Sequence, residues 1–228
     1  MSSTRAGFDD ELAFWDEQIS GKGQYSACVL IRLDLTRQPP EYRYDFEPLI
    51  LQLGRESGRF DPMPIVLDVG SGPASIFSYG AAQGRFRLVA ADPLASEYVE
   101  MLRKYGYQTT SDMIPTGGED LGRHLSPHSC DFSWSYNAID HAEDPGRVFD
   151  QMVLVTRPGG VIAIQVFENE ATAANWGDCI SIIFQVTGPA GWFVRRRGSH
   201  ACSHILMSSH TSWAFRWRSS PISKDDAG

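Results

Sequence analysis

Asp68, Gly70 and Gly72, in the stretch VLDVGSGP from Val66 to Pro73, set a carboxylate and two glycines at the end of a short apolar run. Glycine adopts backbone angles closed to other residues and lets the main chain come close to a ligand. A second acid, Asp92, ends another apolar run 24 residues after Asp68 and is followed by Pro93. At the end of a neighbouring strand, such an acid can accept hydrogen bonds from both hydroxyls of a ribose. A dinucleotide loop would carry a third glycine, which lets the helix approach the sheet while pyrophosphate rests on the helix N-terminus. Here Ser75 stands at that place and Pro73 interrupts the loop. Asp68 would repel a pyrophosphate but can meet an amino acid ammonium, directly or through water. The ligand these residues favour is a nucleoside with a positive centre and an amino acid tail. S-adenosylmethionine has all three features.

His141 is the candidate catalytic residue. It follows the apolar run CDFSWSY, where an acceptor could approach, and a base there could take a proton from a hydroxyl. The competing reading is that Asp140 and His141 fix their loop by hydrogen bonds. Methyl transfer needs little more than alignment, because a sulfonium is already a good leaving group. The run HACSH places His200, Cys202 and His204 at alternating positions, which is not a zinc-finger spacing, and no second cluster accompanies it. No metal is expected. Arg195 to Arg197 read as a solvated strand that could also meet an anionic acceptor.

The elements that must position these residues alternate. IVLDV (65–69), FRLVAAD (86–92) and CDFSWSY (130–136) read as strands, with VIAIQVF (161–167) as a fifth and YQTT (107–110) as the third. Helices are expected over 74–84, 94–106 and 144–156. Asp144 caps the last and Pro145 opens it, with Val148, Phe149, Met152 and Val155 on its inner face. Such alternation predicts a parallel sheet covered on both faces. Upstream, helices are expected over 8–20, capped by Asp9 or Asp10 with Leu12, Trp15 and Ile19 on one face, and over about 45–57. Downstream, a helix near 171–181 and one or two strands near 182–197 are expected.

A chain of 228 residues suits one large domain or one domain with modest additions. Acids outnumber bases 28 to 20, which does not encourage nonspecific nucleic acid binding. No apolar run approaches the roughly 18 residues of a membrane span. Met1 to Asp10 lacks a basic-then-apolar leader. The four cysteines, Cys28, Cys130, Cys179 and Cys202, form no CxxC pair, so free thiols in a reducing compartment are expected. A cytoplasmic location follows as the expectation.

The stretches VLDVGSGP, VAADP, GGEDL, DFSWSYNAIDHAEDP and VTRPGGVIAI resemble, in order and spacing, the class I S-adenosylmethionine-dependent methyltransferases over about 65–167. The part YNAIDH…DP is most similar to the small-molecule branch of that family. AFWDEQI followed by IRLDLTRQPP resembles the N-terminal extension of uncharacterised bacterial members. The resemblance implies that Asp68, Gly70, Ser71 and Gly72 line the methionine part of the cofactor. It implies Asp92, with Pro93, at the ribose and Asn137 near the sulfonium and the methionine backbone. Many members carry two acids flanking a small residue before a Leu at the adenine. Here Gly117 takes the first acid's place, which leaves Glu119 or the Gly118 amide for that contact.

Together these readings give a doubly wound, mostly parallel α/β sheet. An N-terminal helical extension or lid spans 1–60, a methyltransferase domain 61–200 and a C-terminal segment of open character 201–228. The expected activity is methyl transfer from S-adenosylmethionine to a small-molecule acceptor. Oxygen is favoured as the acceptor atom because no NPPY-like motif is present. A noncatalytic cofactor-binding relative is the alternative, and a nucleotide-dependent oxidoreductase, disfavoured by Ser75, is the other. Acceptor choice is expected to lie in 8–60 and 168–200, with Phe14 and Trp15 on a covering helix and Trp176 and Trp192 on the facing wall.

Overall fold

The computed structural model describes residues 5–38, 46–58, 63–167, 179–188 and 191–197. The N-terminal extension is helical, with α1 (Arg5–Ile19), α2 (Ser26–Leu33) and α3 (Glu47–Glu56). The alternating part follows as β1 (Ile65–Val69), α4 (Ser78–Ala82), β2 (Arg87–Asp92), α5 (Ala95–Lys104), β3 (Ser111–Pro115), β4 (Cys130–Tyr136), α6 (Pro145–Val155) and β5 (Thr156–Phe167). Two strands close the described chain, β6 (Cys179–Gly188) and β7 (Gly191–Arg197). One sheet holds all seven, in the order β3-β2-β1-β4-β5-β6-β7. The first five are parallel, and β6 and β7 add antiparallel pairings.

The strands are short apolar runs because both faces of the sheet are covered. On one face Leu67, Val69, Val89, Ala91, Ile162 and Ile164 meet Val148, Phe149, Met152 and Val155 of α6. On the other, Val66, Leu88, Phe132 and Trp134 pack with Phe46, Ile50, Leu53 and Phe77. The alternation Val66, Leu67, Asp68, Val69 is the period-two pleat sorted onto these faces. A third cluster joins the extension to the sheet's helices, through Ile19, Val29 and Leu33 against Ala74 and Leu102.

Several local expectations are corrected. α1 starts at Arg5, so Asp9 and Asp10 lie inside it and cap nothing. α2 went unassigned, although its buried Val29 and Leu33 stand at i and i+4. α4 is a short helix from Ser78, because Ser75 Oγ spends its bonds on Asp68 and on the Phe77 amide. The third strand is Ser111–Pro115 and not 107–110; Ser111 pairs with Leu88, while Thr110 Oγ1 reaches the Ser78 carbonyl. Residues 179–181 begin a strand rather than end a helix, and 168–178 lie outside the described residues. The cap of α6 is as expected, with Asp144 accepting from the Arg147 amide at 3.0 Å. Among the described residues no helix is long and apolar enough to cross a membrane. None of their His, Cys, Asp or Glu groups could hold a metal, and the run HACSH lies outside them. Among the described residues Cys28 and Cys130 form no disulfide.

Far from the loop ends, one buried carboxylate fastens the sheet. Asp131, fully buried, accepts from Arg157 Nε at 2.6 Å and from the Ile65 amide at 2.7 Å. The same guanidinium donates to the Leu53 carbonyl at 2.6 Å. Four elements, α3, β1, β4 and β5, are thereby joined at one point. Breaking a buried pair leaves an uncompensated charge, so Asp131→Ala should lower stability by about 3–5 kcal/mol. Urea denaturation checks this, and a loss below about 1 kcal/mol would show that water satisfies Arg157.

Candidate functional site

The carboxyl ends of β1, β2 and β4 meet at the glycine loop. Gly70 donates to the Ala91 carbonyl at 2.8 Å, which ties the loop's start to β2. Gly70 has φ +69° and Gly72 φ +57°, so both lie in the left-handed region that favours glycine. A Cβ on Gly70 would sit 2.2 Å from Ala138 Cβ, and one on Gly72 would sit 3.1 Å from Trp15 Cζ2. The expected reason for these glycines was ligand approach. The structure supplies a second, in the close approach of the protein's own Ala138 and Trp15.

Asp92 organises the loop. Its Oδ2 accepts from the Gly72 amide at 3.0 Å and its Oδ1 from the Leu94 amide at 2.9 Å. A carboxylate offers about four lone-pair sites, so two remain for a vicinal diol. The residues therefore fit a ribose. Burial pushes the Asp92 carboxyl up to about 6 against these two amide bonds, and the charges of Glu11 and Glu97 add to the rise. Asp68 is more deeply enclosed. Burial pushes it up to about 7, opposed by a 2.5 Å bond from Ser75 Oγ and by the charge of Arg32.

The remaining expected site residues fall in three places. Ser71 lies in the loop, its Oγ donating to the Gly72 carbonyl at 3.0 Å. Pro93 is exposed at the β2–α5 turn. Asn137 follows β4 in the left-handed region, φ 48°, with its amide donating to the Gln165 carbonyl at 2.7 Å. His141 ends a 3-10 turn, Ile139–His141, and is exposed. Gly118 opens another 3-10 turn, Gly118–Arg123, where a Cβ would lie 2.6 Å from Val148 Cγ1. Glu119 is engaged by the chain itself. Its Oε1 accepts from the amides of Glu143 and Asp144 at 3.0 and 3.4 Å, which ties this turn to the loop carrying His141.

The sequence reading placed α1 over the acceptor. In the structure α1 lies on the glycine loop and α5. Trp15 meets Gly72, and Tyr98 Oη donates to Glu11 Oε1 at 2.8 Å. Glu11 and Tyr98 were missed, since no local pattern links residues 87 positions apart. Trp176 and residues 201–228 lie outside the described residues; Arg195 to Arg197 belong to β7.

The two raised carboxyls set a pH dependence. A folded-state value above the ordinary 3.8 means that the fold binds the proton more tightly than the unfolded chain does. That stabilisation is complete below about pH 4 and is lost as pH rises through about 6 for Asp92 and about 7 for Asp68. Without ligand, the melting temperature should fall between pH 5 and pH 8. Asp68→Asn should flatten the upper part of that fall in calorimetric scans. An unchanged slope would show that Asp68 does not carry it.

Residues 67–164, less than half of the chain, match the family model described as a methyltransferase domain. Among curated proteins none matches the chain. Among solved structures it is similar to the arsenic(III) S-adenosylmethionine methyltransferase of Chlamydomonas reinhardtii, with 23% identity over 45% of this chain and 38% of that one and a TM-score of 0.38. It is also similar to an S-adenosylmethionine-dependent methyltransferase of Thermotoga maritima, with 17% identity, 69% and 62% covered and a TM-score of 0.40. A third is the Haemonchus contortus phosphoethanolamine N-methyltransferase 2 in complex with S-adenosylhomocysteine, with 18% identity, 54% and 28% covered and a TM-score of 0.40. In each case the chain spans less than two thirds of the other's length. By the match over 67–164, the central segment of this chain is similar to a methyltransferase domain.

Proposed function

We propose that the protein is an enzyme that moves the methyl group of S-adenosylmethionine to an oxygen of a small-molecule acceptor. The observation that carries this reading is the Asp92 carboxylate. It is buried, bonded to the Gly72 and Leu94 amides, and retains lone pairs at the edge where β1 and β2 end. When bound, S-adenosylmethionine supplies a methyl group activated by a positive sulfur. The chain's part is to bind, orient and keep water away.

In this reading Asp92 holds the ribose hydroxyls and Pro93 flanks them. Asp68, with Gly70, Ser71 and Gly72, faces the amino acid end, where the Asp68 carboxylate meets an ammonium. Asn137 borders the sulfur. The adenine edge falls to the Gly118 amide, because Glu119 Oε1 already serves Glu143 and Asp144. His141, exposed beyond β4, takes the proton of the acceptor hydroxyl on a ring nitrogen. Residues 61–200 form the methyltransferase domain and 1–60 its extension. The enzyme works in the cytoplasm, uses no metal and binds no nucleic acid.

Two substitutions separate binding from chemistry. Asp92→Ala removes a charged acceptor from two hydroxyl donors, so affinity for S-adenosylhomocysteine should fall about ten- to a hundredfold. Calorimetric titration of the folded variant measures this, and unchanged affinity would remove Asp92 from the ribose. His141→Ala should leave that affinity intact and lower kcat by about a hundredfold or more. A kcat within a few-fold of the parent would leave His141 a loop residue.

A further inference from the structure

The geometry points to α1 as a movable lid on the nucleoside end of the site, latched by Glu11 and Tyr98, an inference that rests on the function proposed above. Glu11, Trp15 and Ile19 stand at i, i+4 and i+8, so they form one stripe along α1. Each meets a different part of the site's frame. Ile19 is buried beside Ala74 and Leu102, Trp15 lies on Gly72, and Glu11 accepts from Tyr98 Oη at 2.8 Å. Trp15 Nε1 also points to Glu11 Oε1, at 3.4 Å.

Two observations make this stripe an obstacle to a ligand. A Cβ on Gly72 would already crowd the indole, at 3.1 Å from Cζ2, so the space between them is too small for a ligand atom. Asp92 is only 5% exposed, with Glu11 among the charges that act on it. A ribose approaching Asp92 from the α1 side therefore has to displace Trp15 and Glu11.

The fastening is uneven along the helix. At the Ile19 end the hold is apolar burial, which is not readily released. Toward the other end Phe14 is 39% exposed. The ion pair of Asp16 with Lys104 spans 2.6 Å, but both side chains are largely exposed, and such pairs contribute little. The half-buried bond from Tyr98 to Glu11 is the stronger tie there, since one partner is charged. α1 is thus hinged near Ile19 and latched at Glu11. Trp15 between them packs beside the Ile19 cluster and edge-on to the Tyr98 ring, so release of the hydrogen bond loosens the Tyr98 side of its seat and lets the indole lift from the glycine loop.

Amide hydrogen exchange of the full chain, without ligand, tests the motion, and stopped-flow binding of S-adenosylhomocysteine tests what it controls. Tyr98→Phe keeps the ring and removes the donor. Glu11→Ala, at a half-buried position, does the same from the other side should Tyr98→Phe fail to fold. Either variant should speed exchange of the α1 amides about tenfold or more while β1 and β4 keep their rates. The association rate of S-adenosylhomocysteine should rise by a similar factor. Exchange of α1 only together with β1 and β4 would overturn the lid, whatever the ligand does. Faster α1 exchange with an unchanged association rate would overturn its control of access. Faster α1 exchange in proteins that bind no S-adenosylhomocysteine would support the moving helix and overturn the function proposed above.

Discussion

The Asp92 carboxylate is the point on which the site depends. It bridges two backbone amides, Gly72 in the loop after β1 and Leu94 in the turn after β2. Two loops from different strands are held by one side chain. Gly70 adds the bond to Ala91, so the loop is registered on β2 from its first residue. Enclosing a carboxylate in this way is unfavourable, which is why its proton is held up to about pH 6. The charge-assisted bonds offset part of that cost and keep the oxygens oriented. The carboxylate oxygens are thereby set in place before a ligand arrives.

Stability and binding draw on different edges of the sheet. Asp131 and Arg157 join α3, β1, β4 and β5 through bonds that leave no oxygen of Asp131 idle. The aromatic cluster beside them, Phe46, Phe77, Phe132 and Trp134, adds edge-on and tilted ring contacts. Asp92 and Asp68, by contrast, are enclosed acids bonded by backbone amides and a serine hydroxyl rather than by a guanidinium. An acid at the carboxyl edge that is not neutralised by a bonded cation suits a ligand that brings its own donors. One paired with a guanidinium at the far side serves the fold.

The extension couples these two economies of structure. α1 is not an independent appendage, since Ile19 shares a cluster with Ala74 of the loop segment and Leu102 of α5. Trp15 adds to the preference for glycine at 72, since a Cβ there would sit 3.1 Å from the indole in a left-handed backbone conformation. The glycine loop, α5 and the Ile19 end of α1 therefore share one cluster, and substitution of Gly72 is felt by the extension.

Local sequence determined the strand–loop–helix order, the glycine loop, Asp92 at the end of β2 and the capping of α6 by Asp144. These features rest on short-range rules: period-two apolar runs, left-handed glycines, and a carboxylate three residues before the amide it accepts from. The five parallel strands were legible for the same reason, apart from β3. Its SDMIP carries little apolar pattern, and its place is set by pairing with β2. Tertiary structure alone decided what lies across from each group. Glu11 meets Tyr98 from 87 positions away, Trp15 covers Gly72, Asp131 receives Arg157 and the Ile65 amide, and Glu119 turns to Glu143 and Asp144. Such contacts depend on how helices seat on the finished sheet. That seating is a property of the whole packed core, which no window of neighbouring residues contains.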